Sequence, residues 1–279
     1  MAPKVGAVSA AEVQRFPEPD EPEGPGAGSA EPQPLKPSLG TTLWSAWGWF
    51  TFGLACLVAF PLMAVTWLLT APFDKGRYWV GFIFRKVCVF QQVLLPRWKF
   101  TVSGTLPKDP RRPYIAVCNH ESFADILLIS HLPWEMKWLS KESMFRIPVA
   151  GQMMSMAGDI KVLRGDKDSA KKAMAECAVW LDRKVSVMVF PEGTRVVKGE
   201  LGPFKDGAFR LAIETQTPIL PMVLWGTKDA MLKKDWRFGH AHAEVRVLEP
   251  VMVDGLTVDD VEDLKTRVRD LMVRELANR

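Results

Sequence analysis

Between Pro37 and Phe73 the chain carries no charged side chain. A membrane-spanning helix needs about 20 apolar residues, so the stretch is long enough. Trp44, Trp47 and Trp49 stand near one end and Trp67 near the other. Aromatic rings favour the lipid–water boundary, which supports a membrane segment over a buried core helix. The run starts late and has no basic leader, so a cleaved signal peptide is not expected. Pro61 is expected to kink or break it, because proline lacks an amide donor and clashes with the preceding turn. A bent hairpin within one leaflet and a full span are both open. Residues 77–95 form a second apolar segment. Trp79, Ile83, Val87, Phe90 and Leu94 share one helical face, and Tyr78, Gly81, Arg85, Cys88 and Gln92 another. With Arg77, Arg85, Lys86, Arg97 and Lys99 as positive charges, this reads as an interfacial helix or as a helix packed on the core.

From about Trp98 the texture changes. Short apolar runs at residues 114–118, 137–139, 159–163, 185–190 and 219–224 read as buried strands. Residues 169–183 read as a helix with Ala170, Met174, Cys177 and Leu181 on one side. Residues 261–276 read as another, with Val261, Leu264, Val268, Met272 and Leu276 aligned. The alternation predicts an α/β fold, a mixed but largely parallel sheet covered by helices. The division is a Pro/Glu-rich disordered tail over residues 1–39, an apolar helical membrane-anchoring region over 40–96, and an α/β domain over 97–279. The tail is too poor in hydrophobic residues to offset the entropy of ordering.

Charge sharpens this picture. Over residues 1–39, Lys4, Arg15 and Lys36 face Glu12, Glu18, Asp20, Glu21, Glu23 and Glu31, whereas the whole chain is +4. The body is therefore basic, which suits anionic lipid surfaces or phosphorylated substrates. No nucleic-acid motif accompanies it, so nucleic acid is not an expected partner. The basic residues after the apolar run, Lys75, Arg77, Arg85 and Lys86, predict a domain facing the cytoplasm. Cys56, Cys88, Cys118 and Cys177 form no C-x-x-C pair and read as reduced thiols.

Two constellations carry chemistry. In Asn119-His120-Glu121-Ser122-Phe123-Ala124-Asp125, a histidine follows a strand and a helix follows it. A carboxylate at Asp125 can turn back to the imidazole, fix its tautomer and leave the other nitrogen as a base. Ser122-x-x-Asp125 also resembles a capping box, and the two roles are compatible. Position 124 is alanine, so His120-Glu121 opens no zinc site, and no metal is implied. The second constellation is Phe190-Pro191-Glu192-Gly193-Thr194-Arg195. Its plainer reading is a turn. Backbone N–H groups around Gly193 with the Arg195 guanidinium would also bind a phosphate. Glu192 would accept from a substrate hydroxyl or orient Arg195. A looser set comprises Lys141, Pro148, Gly151, Gly158 and Arg164, and Pro218-Ile219-Leu220-Pro221 opens a strand.

In this order these segments resemble the four blocks of the glycerolipid acyltransferase family, best known for 1-acylglycerol-3-phosphate (lysophosphatidic acid) acyltransferases. Asn119-His120-x4-Asp125 looks like the catalytic block. Lys141 through Gly151 to Arg164 is similar to the second, with Lys161-Val162-Leu163-Arg164 lacking the usual acidic residue before the arginine. Phe190 to Arg195 matches the third, and Pro218 to Pro221 resembles the fourth. The resemblance implies acyl transfer from a thioester, on coenzyme A or acyl carrier protein, to the free hydroxyl of 1-acylglycerol-3-phosphate, giving phosphatidic acid in phospholipid biosynthesis. It implies His120 as base and Asp125 as its partner. Arg164, Glu192, Gly193, Thr194 and Arg195 would hold the acceptor phosphate, and Lys141 would sit near the thioester oxygen. Membrane lipids are implied partners, and no cofactor is implied beyond the co-substrate. Other lysolipid acceptors remain as alternatives. A hydrolase is a rival, but water needs no phosphate clamp, and the chain lacks Gly-x-Ser-x-Gly. A non-enzymatic lipid-binding protein would not need the His120/Asp125 pair.

Overall fold

A computed structural model describes residues 38–109, 111–195, 201–232 and 235–279. Residues 1–37 of the expected tail lie outside them. Seven strands form one sheet: β1 (Trp98–Gly104), β2 (Ile115–Cys118), β3 (Met136–Lys141), β4 (Ile160–Val162), β5 (Ser186–Val189), β6 (Ile219–Trp225) and β7 (Ala241–Val247). Their order across the sheet is β1-β7-β6-β2-β5-β3-β4. Every pairing is parallel except β6 with β7. The mixed, largely parallel sheet is as expected. β1 and β7 were not among the expected strands. They are the polar-alternating pair at one edge, with β7 burying Ala241, Ala243, Val245 and Val247.

The period of two sorts β2 into two cores. Ile115 and Val117 face a cluster formed with α5 (Lys167–Asp182), α6 (Gly207–Thr215) and α7 (Val261–Ala277). Ala116 and Cys118 face α3 (Ala124–Ile129) through Leu128 and Ile129. Beyond α3 lie α1 (Leu39–Thr70), α2 (Tyr78–Val93) and α4 (Ala150–Ala157).

Helix α1 runs unbroken through Pro61, contrary to the expected break. At 1.5 Å per residue it is about 48 Å long. Ala59 and Met63, on either side of the proline, are buried in one cluster with Val80, Phe84 and Val87 of α2 and Met153 of α4. That packing anchors the residues on both sides of the proline despite the missing hydrogen bond. The stripe Ser45, Gly48, Thr51, Cys56, Ala59 and Met63 faces the protein. Phe50, Leu54, Leu57, Val58, Leu62, Val65, Leu68 and Leu69 are exposed. This helix is long and apolar enough to cross a membrane by length and composition.

Helix α2 divides differently from the expected faces. Val80, Gly81, Phe84, Arg85, Val87, Cys88 and Gln91 turn inward, while Trp79, Phe82, Phe90 and Val93 are exposed. Arg85 is therefore no surface charge. It donates to Asp159 at 2.8 Å, and beside it Lys137, fully buried, meets Glu135 at 3.0 Å. Burial pushes Glu135 up and Lys137 down, and each is pulled back by its partner's charge.

Candidate active site

The parallel strands β2 to β6 all end at one rim, and the candidate residues follow those ends. In open α/β sheets this is where ligands bind. Asn119 continues β2 beyond its last residue. Its side-chain amide donates to the Leu224 carbonyl and its oxygen accepts from the Leu224 N–H, both at 2.8 Å. That double bond to β6 fixes the backbone from which His120 projects.

His120 Nδ1 lies 2.7 Å from Asp125 Oδ2. The same oxygen accepts from the Glu121 N–H at 2.8 Å and the Ser122 N–H at 3.1 Å. Asp125 is fully buried and thus both ties down the start of α3 and holds the imidazole. With a carboxylate on Nδ1, the proton sits there and Nε2 keeps its lone pair, an assignment made from the hydrogen-bond pattern. Phe190 stacks on the imidazole, with ring centroids 4.0 Å apart and planes 13° apart. This ring bars the His120 side chain from swinging toward β5.

Two cavities lie near the dyad, one bordered by Phe190 and the other by Phe123, and β3 separates them. Leu139 and Lys141 line one, and Trp138 and Ser140 the other, as strand alternation requires. The first, about 460 Å³, gathers Lys141, Arg164, Gly193, Lys205 and Phe190. Burial, then the nearby Arg195 guanidinium, hold Arg164 below the ordinary arginine range. Like charges brought together this way ask for an anion between them. The second cavity, about 620 Å³, is almost wholly apolar, with Trp49, Phe52, Leu57, Phe84, Phe123 and Pro148 among its walls. Phe190 joins the two, because its ring also lies 6.2 Å from that of Trp138.

The expected site residues are thus brought to one rim, with particular placements. Lys141 sits with Arg164 in the cationic cavity. Thr194 is exposed at the end of its turn. Glu192 is buried and accepts from the His120 N–H at 3.3 Å. Burial pushes its carboxyl up to about 7, against the pull of the His120 and Gly202 N–H groups. Its contact is with the backbone of the dyad. In the loose set, Pro148 lines the apolar cavity, while Gly151 and Gly158 lie at the two ends of α4. Lys205 was missed by the sequence reading. Gly193 has φ +71, and a Cβ there would stand 2.8 Å from the Lys205 ammonium. Glycine is needed for the positive φ of the turn, and it leaves room for the end of the Lys205 side chain. Thr227, also missed, donates to Asp125 Oδ1 from beyond the end of β6. Only the folded sheet brings these residues to the site, and no local motif announces them.

The class of protein is settled by comparison. Residues 99–225 match the family described as Acyltransferase. The 1-acyl-sn-glycerol-3-phosphate acyltransferase alpha of Homo sapiens is 35% identical over 228 residues, covering 81% of this chain and 77% of its own. A 1-acyl-sn-glycerol-3-phosphate acyltransferase of Limnanthes alba is 30% identical over 227 residues, covering 79% and 80%. The crystal structure of the 1-acyl-sn-glycerophosphate (LPA) acyltransferase PlsC from Thermotoga maritima superposes with a TM-score of 0.74. It is 25% identical and covers 86% of this chain and 96% of that one. The chain belongs to the acyltransferase family of the 1-acylglycerol-3-phosphate acyltransferases, as the four sequence blocks implied.

Proposed function

We propose that this enzyme transfers a fatty acyl group from a thioester to the free hydroxyl of 1-acylglycerol-3-phosphate, giving phosphatidic acid. The observation that carries the reading is the His120–Asp125 pair stacked against Phe190, a wall of the cationic cavity. The acceptor phosphate binds with Arg164, Arg195, Lys141 and the Gly193 turn. His120 Nε2 takes the proton of the acceptor hydroxyl, and the oxygen attacks the thioester carbonyl. The carbonyl π pair moves onto oxygen, and the tetrahedral intermediate is met by Lys141 or backbone N–H groups. Collapse re-forms the carbonyl and breaks the carbon–sulfur bond, and the thiol leaves with the proton held by His120. No acyl-enzyme is required. Coenzyme A and acyl carrier protein present the same thioester and are the two donors to compare. A hydrolase would have no use for the cationic cavity.

The apolar helix α1 associates the protein with a membrane. In our reading α1 lies along the surface of one leaflet with α2. Its stripe from Ser45 to Met63 is occupied by the protein, so an upright span would drag α4 and Phe238 into hydrocarbon. The domain then faces the cytoplasm, with the exposed Lys75 and Lys86 as flanking charges.

His120→Ala is expected to lower transfer by at least about 10²–10⁴-fold with an unchanged melting temperature. Labelled acyl thioester with and without lysophosphatidic acid measures it. A folded variant with wild-type turnover would remove His120 from the mechanism, and acyl release independent of acceptor would favour the hydrolase.

A further inference from the structure

We propose that Thr227 is a positioning residue of the base dyad, and that its hydroxyl ties Glu121 into the same hydrogen-bonded chain. The inference rests on His120 acting as the base.

Strand β6 ends at Trp225, and Gly226 turns the chain with φ +86. A Cβ at Gly226 would stand 2.1 Å from the His242 carbonyl oxygen, so the turn requires glycine. It delivers Thr227, fully buried, to Asp125. The ends of β2 and β6 are therefore clamped twice, once by Asn119 on Leu224 and once by Thr227 on Asp125. Asp125 Oδ2 holds the imidazole, and Thr227 and the Ser122 N–H hold Oδ1. With both oxygens engaged, the carboxylate cannot rotate away from Nδ1.

The Thr227 hydroxyl has one proton and two carboxyl neighbours. Asp125 is the nearer, and Glu121 Oε2 lies 3.4 Å away. The proton goes to Asp125, so Glu121 can bond Oγ1 well only as a donor, in its protonated form. Burial and then the charge of Asp125 push Glu121 up to about 7, opposed by Lys228 and Arg279. Glu192, pushed up by burial with Glu121 and Asp125 adding to it, is the other acid facing this group. Glu121 is thus held protonated to higher pH than an ordinary glutamate. Protonated, it completes the chain Glu121–Thr227–Asp125–His120. Ionised, it adds a second negative charge beside the dyad, and negative charge favours the protonated imidazole.

The test is the pH profile of kcat/KM for acyl transfer by the full-length protein in vesicles. The substrates are lysophosphatidic acid and an acyl-CoA. Thr227→Val removes the hydroxyl at constant shape. It is expected to lower kcat by about ten- to a hundredfold with little change in either KM. Its acid limb moves to higher pH, because Asp125 without its donor attracts the imidazolium more strongly. Thr227→Ser restores the hydroxyl and recovers most of the loss. Glu121→Gln keeps a donor toward Oγ1 and removes the charge, so its acid limb moves to lower pH. A Thr227→Val profile that superposes on wild type, or a Thr227→Ser variant as impaired as valine, overturns the proposal. If Thr227→Val does not fold, Glu121→Gln decides, and an unmoved acid limb overturns it. An inactive wild type, or a fully active His120→Ala control, would instead overturn the acyl-transfer reading itself.

Discussion

The protein gathers charge in two places and treats it in opposite ways. Beneath α2, two acids and two bases are interleaved: Arg85 with Asp159 at 2.8 Å and Lys137 with Glu135 at 3.0 Å. At the strand ends most of the charge is sorted by sign, and Asp166 in the cationic cavity is taken up as the cap of α5. Glu121, Asp125 and Glu192 crowd around His120, while Lys141, Arg164 and Lys205 line the neighbouring cavity. Among the described residues those three cations have no ion-pair partner. Charge that cancels internally fastens one element to another, whereas charge left uncancelled is available to a substrate. By this criterion Arg85 fastens the fold, whereas Arg164 is left open on a cavity wall.

The comparison breaks most sharply at Asp159. Removing it as Asp159→Ala leaves Arg85 only the more distant Glu135, 3.9 Å away, and is expected to cost up to about 3–5 kcal/mol of stability. Denaturant unfolding measures this, and an unchanged midpoint would mean that the pair does not fasten α2. At the strand ends the same kind of truncation should spare stability and change binding. Arg195→Ala and Arg164→Ala should raise the acceptor KM by roughly ten- to a hundredfold, the range of a charge-assisted hydrogen bond of about 1.5–3 kcal/mol. Arg164 is expected at the low end because solvent screens it. Lys205→Ala, also exposed, should raise it only about two- to fivefold. Donor KM serves as the control, and equal effects on both substrates would contradict the assignment.

The smallest effect is one of pH. The Glu192 carboxyl is raised by burial to about 7 from an ordinary 4.5. Between those values the folded state binds the extra proton, so its contribution to stability is lost as pH rises from about 4.5 to about 7. Glu192→Gln should reduce the slope of melting temperature over that window, Glu121 supplying what remains. A slope unchanged from wild type would place the burial cost elsewhere.

How much of this was legible in the sequence depends on how local the signal was. The central strands showed as apolar runs because both faces of β2, β5 and β6 are covered. Strand β7, next to the edge strand β1, carries a clean alternation, His242-Ala243-Glu244-Val245-Arg246-Val247, that a period-two search would have found. His120 and Asp125 were legible because five residues span one turn into α3. Thr227 and Lys205 were not, since sheet pairing and a glycine approach place them. Pro61 misled because packing on α2 and α4 outweighs its local effect. The segment to residue 96 looked like an attached anchor by composition. Its inner face nonetheless belongs to the packed protein, through Met63, Val80 and Arg85.

The most direct measurement compares two acceptors that differ only in the phosphate. The account predicts that the wild-type enzyme prefers 1-acylglycerol-3-phosphate to the matching monoacylglycerol in kcat/KM. Arg164→Ala/Arg195→Ala should lose most of that preference, while turnover of the monoacylglycerol stays near the wild-type rate. A double variant that keeps the full preference, or loses both acceptors equally, would contradict the placement of the phosphate in the cationic cavity.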